Sequence, residues 1–211
     1  MIESNRRRVL AGACASVLSA MLLLHVVRMF ADDGSAPSQA AIALSGFTAV
    51  LHVGFIVAAA FGVTQLVRHR ADRLGLAGAA LTCLGAVVGA RIGVFIQLSQ
   101  LQDSTPGAVR GAISALLHNA KPVWASIIPI GLMYPLGLML LGIALIVARP
   151  VNRWIGVVLL IGGFFFPVGR ALGIPPAFYI SDAMTGIAWG ILGWTMLTKR
   201  EVWHGGAVPQ S

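Results

Sequence analysis

The run GAVVGARIGVF, Gly85 to Phe95, decides how the chain is read. Every residue in it is glycine or apolar except Arg91, a permanent cation. The rest of the chain shows which solvent surrounds such a segment. Of 211 residues, 57% are hydrophobic and 10% charged, with a mean hydropathy of +0.86. A water-soluble domain covers itself with about a quarter charged residues. This chain has too few, so its outer surface is expected to face lipid.

Working outward from Arg91, six apolar runs reach the roughly 20 helical residues that cross a bilayer. They are residues 9–30, 41–66, 74–100, 122–148, 154–173 and 180–198. The expected fold is therefore all-α, a polytopic transmembrane bundle of six helices forming one domain over residues 1–211. Between spans three and four, Pro106 can open a helix. Val109, Ile113, Leu116 and Leu117 follow on one face of it, which reads as a short amphipathic interfacial helix. MIESNRRR before the first run resembles a secretory or twin-arginine signal. The run is longer than a signal's apolar core and further spans follow, so it is read as a retained helix.

The net charge of +8 raises nucleic acid as a partner, but the basic residues lie in short clusters between apolar runs. Arg6, Arg7, Arg8, Arg68, Arg70, Arg73, Arg149, Arg153, Lys199 and Arg200 all fall on one face of the six-span scheme. Arg28, Arg91, Arg110, Lys121 and Arg170 remain for the other. Positive loops stay inside. The expectation is a multi-pass protein of a bacterial plasma membrane, with both termini cytoplasmic and no nucleic-acid partner. Cys14 and Cys83 lie in apolar runs without metal-ligand spacing. No disulfide framework, metal or cofactor is expected from them.

Glycines shape the packing. Gly85, Gly89 and Gly93 form a GxxxGxxxG ladder that lets helix backbones approach closely. Gly186, Gly190 and Gly193 share a face of span six, and Gly162, Gly169 and Gly173 end span five. Packing within the chain is the first reading, and a homo-oligomer through these faces is the alternative. Pro129 and Pro135 are expected to bend span four and open a cavity beside it.

The polar residues gather in the outer leaflet. His52 lies roughly 13 Å below the outer edge, with Ser45 and Thr48 on its helix face. His25, Arg28, Arg91, Gln97, Arg170 and Asp182 occupy the same half. No carboxylate lies deep in any span, which disfavours proton-coupled transport. The candidate ligand-binding residues are His52, Arg91, His25, Arg170, Asp182, Ser45 and Thr48. Together they suggest an outward-facing pocket for a small anionic or amphipathic molecule, which arginine binds bidentately. Snorkelling of the arginines to lipid headgroups is the plain alternative. His25 and His52 raise haem ligation, but no CxxCH accompanies them. An intramembrane lipid-modifying enzyme, with His52 as base and Arg91 on a phosphate, and a structural subunit of a membrane complex are the competing functions.

Four features carry a resemblance: the long loop after span one, GARIGVFIQLS in span three, RPVNRWIGVVLLIGG opening span five, and WGILGWTMLTKRE closing the chain's last helix. In these the sequence resembles a family of small six-helix bacterial integral membrane proteins known as a domain of unknown function. The resemblance implies the topology and no activity. It also implies acidic residues after the span-three arginine and at the start of the last helix. Here Gly93 stands near the first place and Asp182 near the second.

Overall fold

The computed structural model describes residues 9–17, 39–104, 107, 109–115, 118–119, 130–172 and 174–198. Among them every regular element is a helix: α1 (residues 9–17), α2 (Gln39–Ser104), α3 (residues 109–115), α4 (Met133–Ala148), α5 (Arg153–Ala171) and α6 (Pro175–Thr198).

The long α2 is two helices. Ala71 leaves helical geometry, at φ −141° and ψ 38°. A Cβ placed on Gly75 would strike the Val67 side chain and come within 3.7 Å of the Thr64 Cα. In a straight helix those residues would be about 16 Å apart. The chain therefore doubles back at the exposed RHRADR turn, and the arms 39–70 and 72–104 contain the apolar runs 41–66 and 74–100.

Small residues seam the remaining helices together. A Cβ on Gly78 would meet the Leu141 nitrogen at 2.9 Å, and one on Gly85 would fall on the Tyr134 backbone. Numbers rise on α2 as they fall on α4, so the second arm and α4 are antiparallel. Gly142 and Gly156 place α4 directly on α5, each aimed at the other's carbonyl at 2.6 Å from an added Cβ. Gly162 meets Thr185 and Ser181 of α6, and Gly193 meets Ala11 and Ala15 of α1. Met196 touches the position of Gly62 beside Leu10, which closes the ring onto the first arm of α2. The centre is filled by Val63, Leu138, Leu141, Leu145, Leu159, Trp189, Leu192 and Met196, all without solvent exposure.

One expectation is corrected. Among the described residues Gly89 belongs to no seam, because a Cβ there has nothing within 4 Å. The 78–141 and 85–134 pairings would set Gly89 opposite residue 130, ahead of the N-cap of α4 at Leu132. Gly93 lies further along the same arm, with its surroundings outside the described side chains. Pro135 follows closely on a turn at Leu132 that separates the helical residues 130–131 from α4, an interruption of the kind a proline's missing N–H produces. Pro129 falls outside the described residues. In α3 Val109 is exposed and Ile113 half-buried; Leu116 and Leu117 are not described.

The surface is inverted relative to a soluble bundle. Phe61, Leu84, Leu136, Phe164 and Ile187, on five successive helices of the ring, are each 50–55% exposed. Counted from the turns at Ala71 and Arg149–Asn152 or from Thr198, all five lie roughly 15–20 Å along their helices. Arg68, Arg70, Arg73, Arg149 and Arg153 cluster at the turns, fully outside this belt. From Leu74 to Ala90, across α4, and from Trp154 to Gly169, the sequence has no charged residue. By length and composition, Val50–Gly89 is the one described helical segment apolar enough to cross a membrane.

Candidate functional site

Burying a hydroxyl in an apolar helix bundle costs free energy unless it finds an acceptor. Helical threonines meet this by bonding back to their own helix. Thr82 donates to the Gly78 carbonyl at 2.7 Å, Thr64 to Phe61 at 2.7 Å and Thr195 to Ile191 at 2.8 Å. Helix α6 departs from this in its middle. Ser181 donates across the helix interface to the Gly162 carbonyl at 2.8 Å. Thr185 Oγ1 and Trp189 Nε1 are buried with no hydrogen-bond partner among the described residues.

Asp182, Thr185 and Trp189 are spaced i, i+3, i+7 and so share one face of α6. All three are buried, Asp182 at 8% exposure and Trp189 at zero. This face therefore carries a carboxylate, a free hydroxyl and a free indole N–H inside the ring. Nothing charged lies beside them in α6 between Pro175 and Thr198.

His52 belongs at the same height. Gly62 meets Met196, and the first arm of α2 runs parallel to α6. His52 lies ten residues before Gly62, while Thr185 and Asp182 lie eleven and fourteen before Met196. All three thus stand roughly 15–21 Å from that contact. The His52 side chain is half-buried.

The other expected site residues divide by position. Ser45, Thr48 and Arg91 lie in α2 and Arg170 in α5, with their side chains outside the described set. His25 and Arg28 fall outside the described residues. The Arg91 backbone is twenty residues past Ala71, roughly 30 Å from the basic turn. Arg170, seventeen residues past Arg153, is roughly 26 Å from the same end. The backbones of both arginines are thus carried toward the end opposite the basic turns, and that of Asp182, sixteen residues before Thr198, stands at a comparable height of roughly 24 Å. Thr185 and Trp189 escaped the sequence reading, which followed charge and histidine. The i, i+3, i+7 spacing after Asp182 was the available signal.

The two cysteines are packing residues in the described structure. Cys14 is buried with its Sγ 3.9 Å from Met196 Sδ, and Cys83 is half-buried. Tyr134 and Phe166 pack rings at 5.0 Å between α4 and α5. No family model, curated protein or solved structure matches the chain, and the family resemblance gains no support from these comparisons.

Proposed function

We propose that the chain is a six-span membrane protein whose interior holds a small anionic or amphipathic molecule entering from the end opposite the basic turns. The observation that supports this most is the paired inversion of the fold. Large apolar side chains ring the outside, while the Thr185 hydroxyl and Trp189 indole N–H of α6 are buried without acceptors among the described residues. Lipid meets the first without penalty, and a polar guest meets the second. On this reading the basic turns and both termini are cytoplasmic, in a bacterial plasma membrane. Arg91 and Arg170 stand at the outer mouth, where a guanidinium draws an anionic group inward. Asp182, Thr185 and Trp189 form the polar floor, with His52 beside them in height. The arrangement calls for binding or movement of the guest and assigns no bond-breaking step.

Native mass spectrometry of the protein released from detergent tests this. The wild-type protein is expected to carry a non-lipid adduct, and Thr185→Val and Arg91→Gln to lose it. Thr185→Val removes a hydroxyl that makes no described hydrogen bond, so it should melt at or above the parent temperature. A bare wild-type mass, or an adduct retained by both variants, would overturn the pocket.

A further inference from the structure

The turn between α4 and α5 is built unlike the other connections. Arg149 caps α4 in the left-handed conformation, φ 53° and ψ 38°, with its N–H donating to the Leu145 carbonyl at 3.0 Å. It is the one non-glycine residue with positive φ among the described residues. Glycine or asparagine fills such a cap at lower cost, because a Cβ crowds the left-handed backbone. Pro150 follows, Val151 is buried, and the Asn152 side chain accepts from the Trp154 N–H at 3.2 Å. The backbones of Arg149 and Arg153 are thereby pinned on either side of one short turn.

Between them opens a concavity of about 590 Å³, lined by Arg149, Val151, Asn152, Arg153, Trp154 and Val157. Two guanidinium-bearing residues stand over a slope of valine and tryptophan. Trp154 is 71% exposed. Trp194, near the same end of α6, is 68% exposed. Exposed tryptophans at matching height mark the level of the headgroups, where an amphipathic ring is most favourable.

We infer that this concavity binds the phosphate of an anionic phospholipid of the cytoplasmic leaflet, with the acyl chains lying along Val157 toward the apolar belt. The inference rests on the membrane reading above. Two arginines match a phosphate bidentately, and basic pockets on the cytoplasmic side favour anionic headgroups. The apolar lining fits a lipid better than free phosphate, which needs polar contacts on every side. Arg68, Arg70 and Arg73, exposed at the neighbouring α2 turn, add attraction without enclosing the site.

The test uses the full chain in nanodiscs of phosphatidylcholine containing a minor fraction of phosphatidylglycerol, with bound lipid counted by native mass spectrometry. The wild-type protein should retain phosphatidylglycerol over phosphatidylcholine. Removing either pocket arginine should lower that preference about fivefold, so Arg149→Gln with Arg153→Gln should abolish it, whereas Arg73→Gln, outside the concavity, should leave most of it. Arg149→Gly separates binding from folding. It relieves the left-handed cap, so it should melt no lower than wild type in pure phosphatidylcholine while still losing preference. Equal retention of both lipids by a membrane-embedded wild type would overturn the headgroup site alone. Displacement of phosphatidylglycerol by millimolar inorganic phosphate would do the same, by showing a free-phosphate site. Release of the protein from membranes by alkaline carbonate would overturn the membrane reading together with it.

Discussion

Gly85→Leu should leave almost no folded protein to purify, while Gly89→Leu, one helical turn away, should melt with the parent or above it. A Cβ at residue 85 lands on the backbone of Tyr134. Tyr134 cannot retreat, because its ring packs on Phe166 at 5.0 Å and the next carbonyl, that of Pro135, abuts Gly163 at 2.9 Å from an added Cβ. Overpacking against side chains costs about 1–3 kcal/mol, and more where no rotamer change gives relief. Two backbones in contact offer none. At Gly89 the added side chain meets no described atom within 4 Å, and leaving glycine favours a helix by about 1 kcal/mol. Size-exclusion recovery after heating in detergent measures both variants. Equal loss of the two would remove the seam at Gly78–Gly85 from the account.

The second large effect concerns the belt. Leu84→Lys, Phe164→Lys and Ile187→Lys should each cost about 2.5–3.5 kcal/mol of insertion or stability, the penalty for a cation at the centre of a spanning helix. On a soluble bundle the same changes at half-exposed positions would stay within about 0.5 kcal/mol. Leu74→Lys is the internal control. It is 36% exposed and follows Arg73 at the basic turn, where a lysine reaches water along its own stem. The depth dependence, with the centre intolerant and the turn tolerant, is the result to look for in an insertion assay. Uniform tolerance would place the belt in water.

The all-helical succession was legible because it depends on a quantity local to the chain, the length of its apolar runs. The break at Ala71 was legible from RHRADR, whose charges end one apolar run and begin the next. Seams were less so. Gly85 and Gly89 look equivalent in sequence, since a spacing of four keeps them on one helix face. Only the partner across the seam separates them: Gly85 abuts the Tyr134 backbone, while Gly89 meets no described atom within 4 Å. Gly137, Gly142 and Gly156 carry close backbone contacts, yet stand outside any ladder, so spacing could not single them out. On α6, the burial of Asp182 was approachable from its lone charge. That Thr185 would lack the back-bond made by Thr64, Thr82 and Thr195 depends on rotamer and neighbour, which no periodicity encodes.

The central claim is that the belt lies in lipid, and site-directed spin labelling in proteoliposomes measures that directly. Single cysteines at Leu84, Leu136, Phe164 and Ile187, and at Arg70 and Arg153, would be introduced into a chain with Cys14 and Cys83 replaced by alanine. Labels on the belt should collide readily with dissolved oxygen, which concentrates in the hydrocarbon, and be shielded from a polar nickel chelate. Labels at Arg70 and Arg153 should show the reverse. Nickel accessibility at the four belt positions equal to that at the two turns would contradict the account.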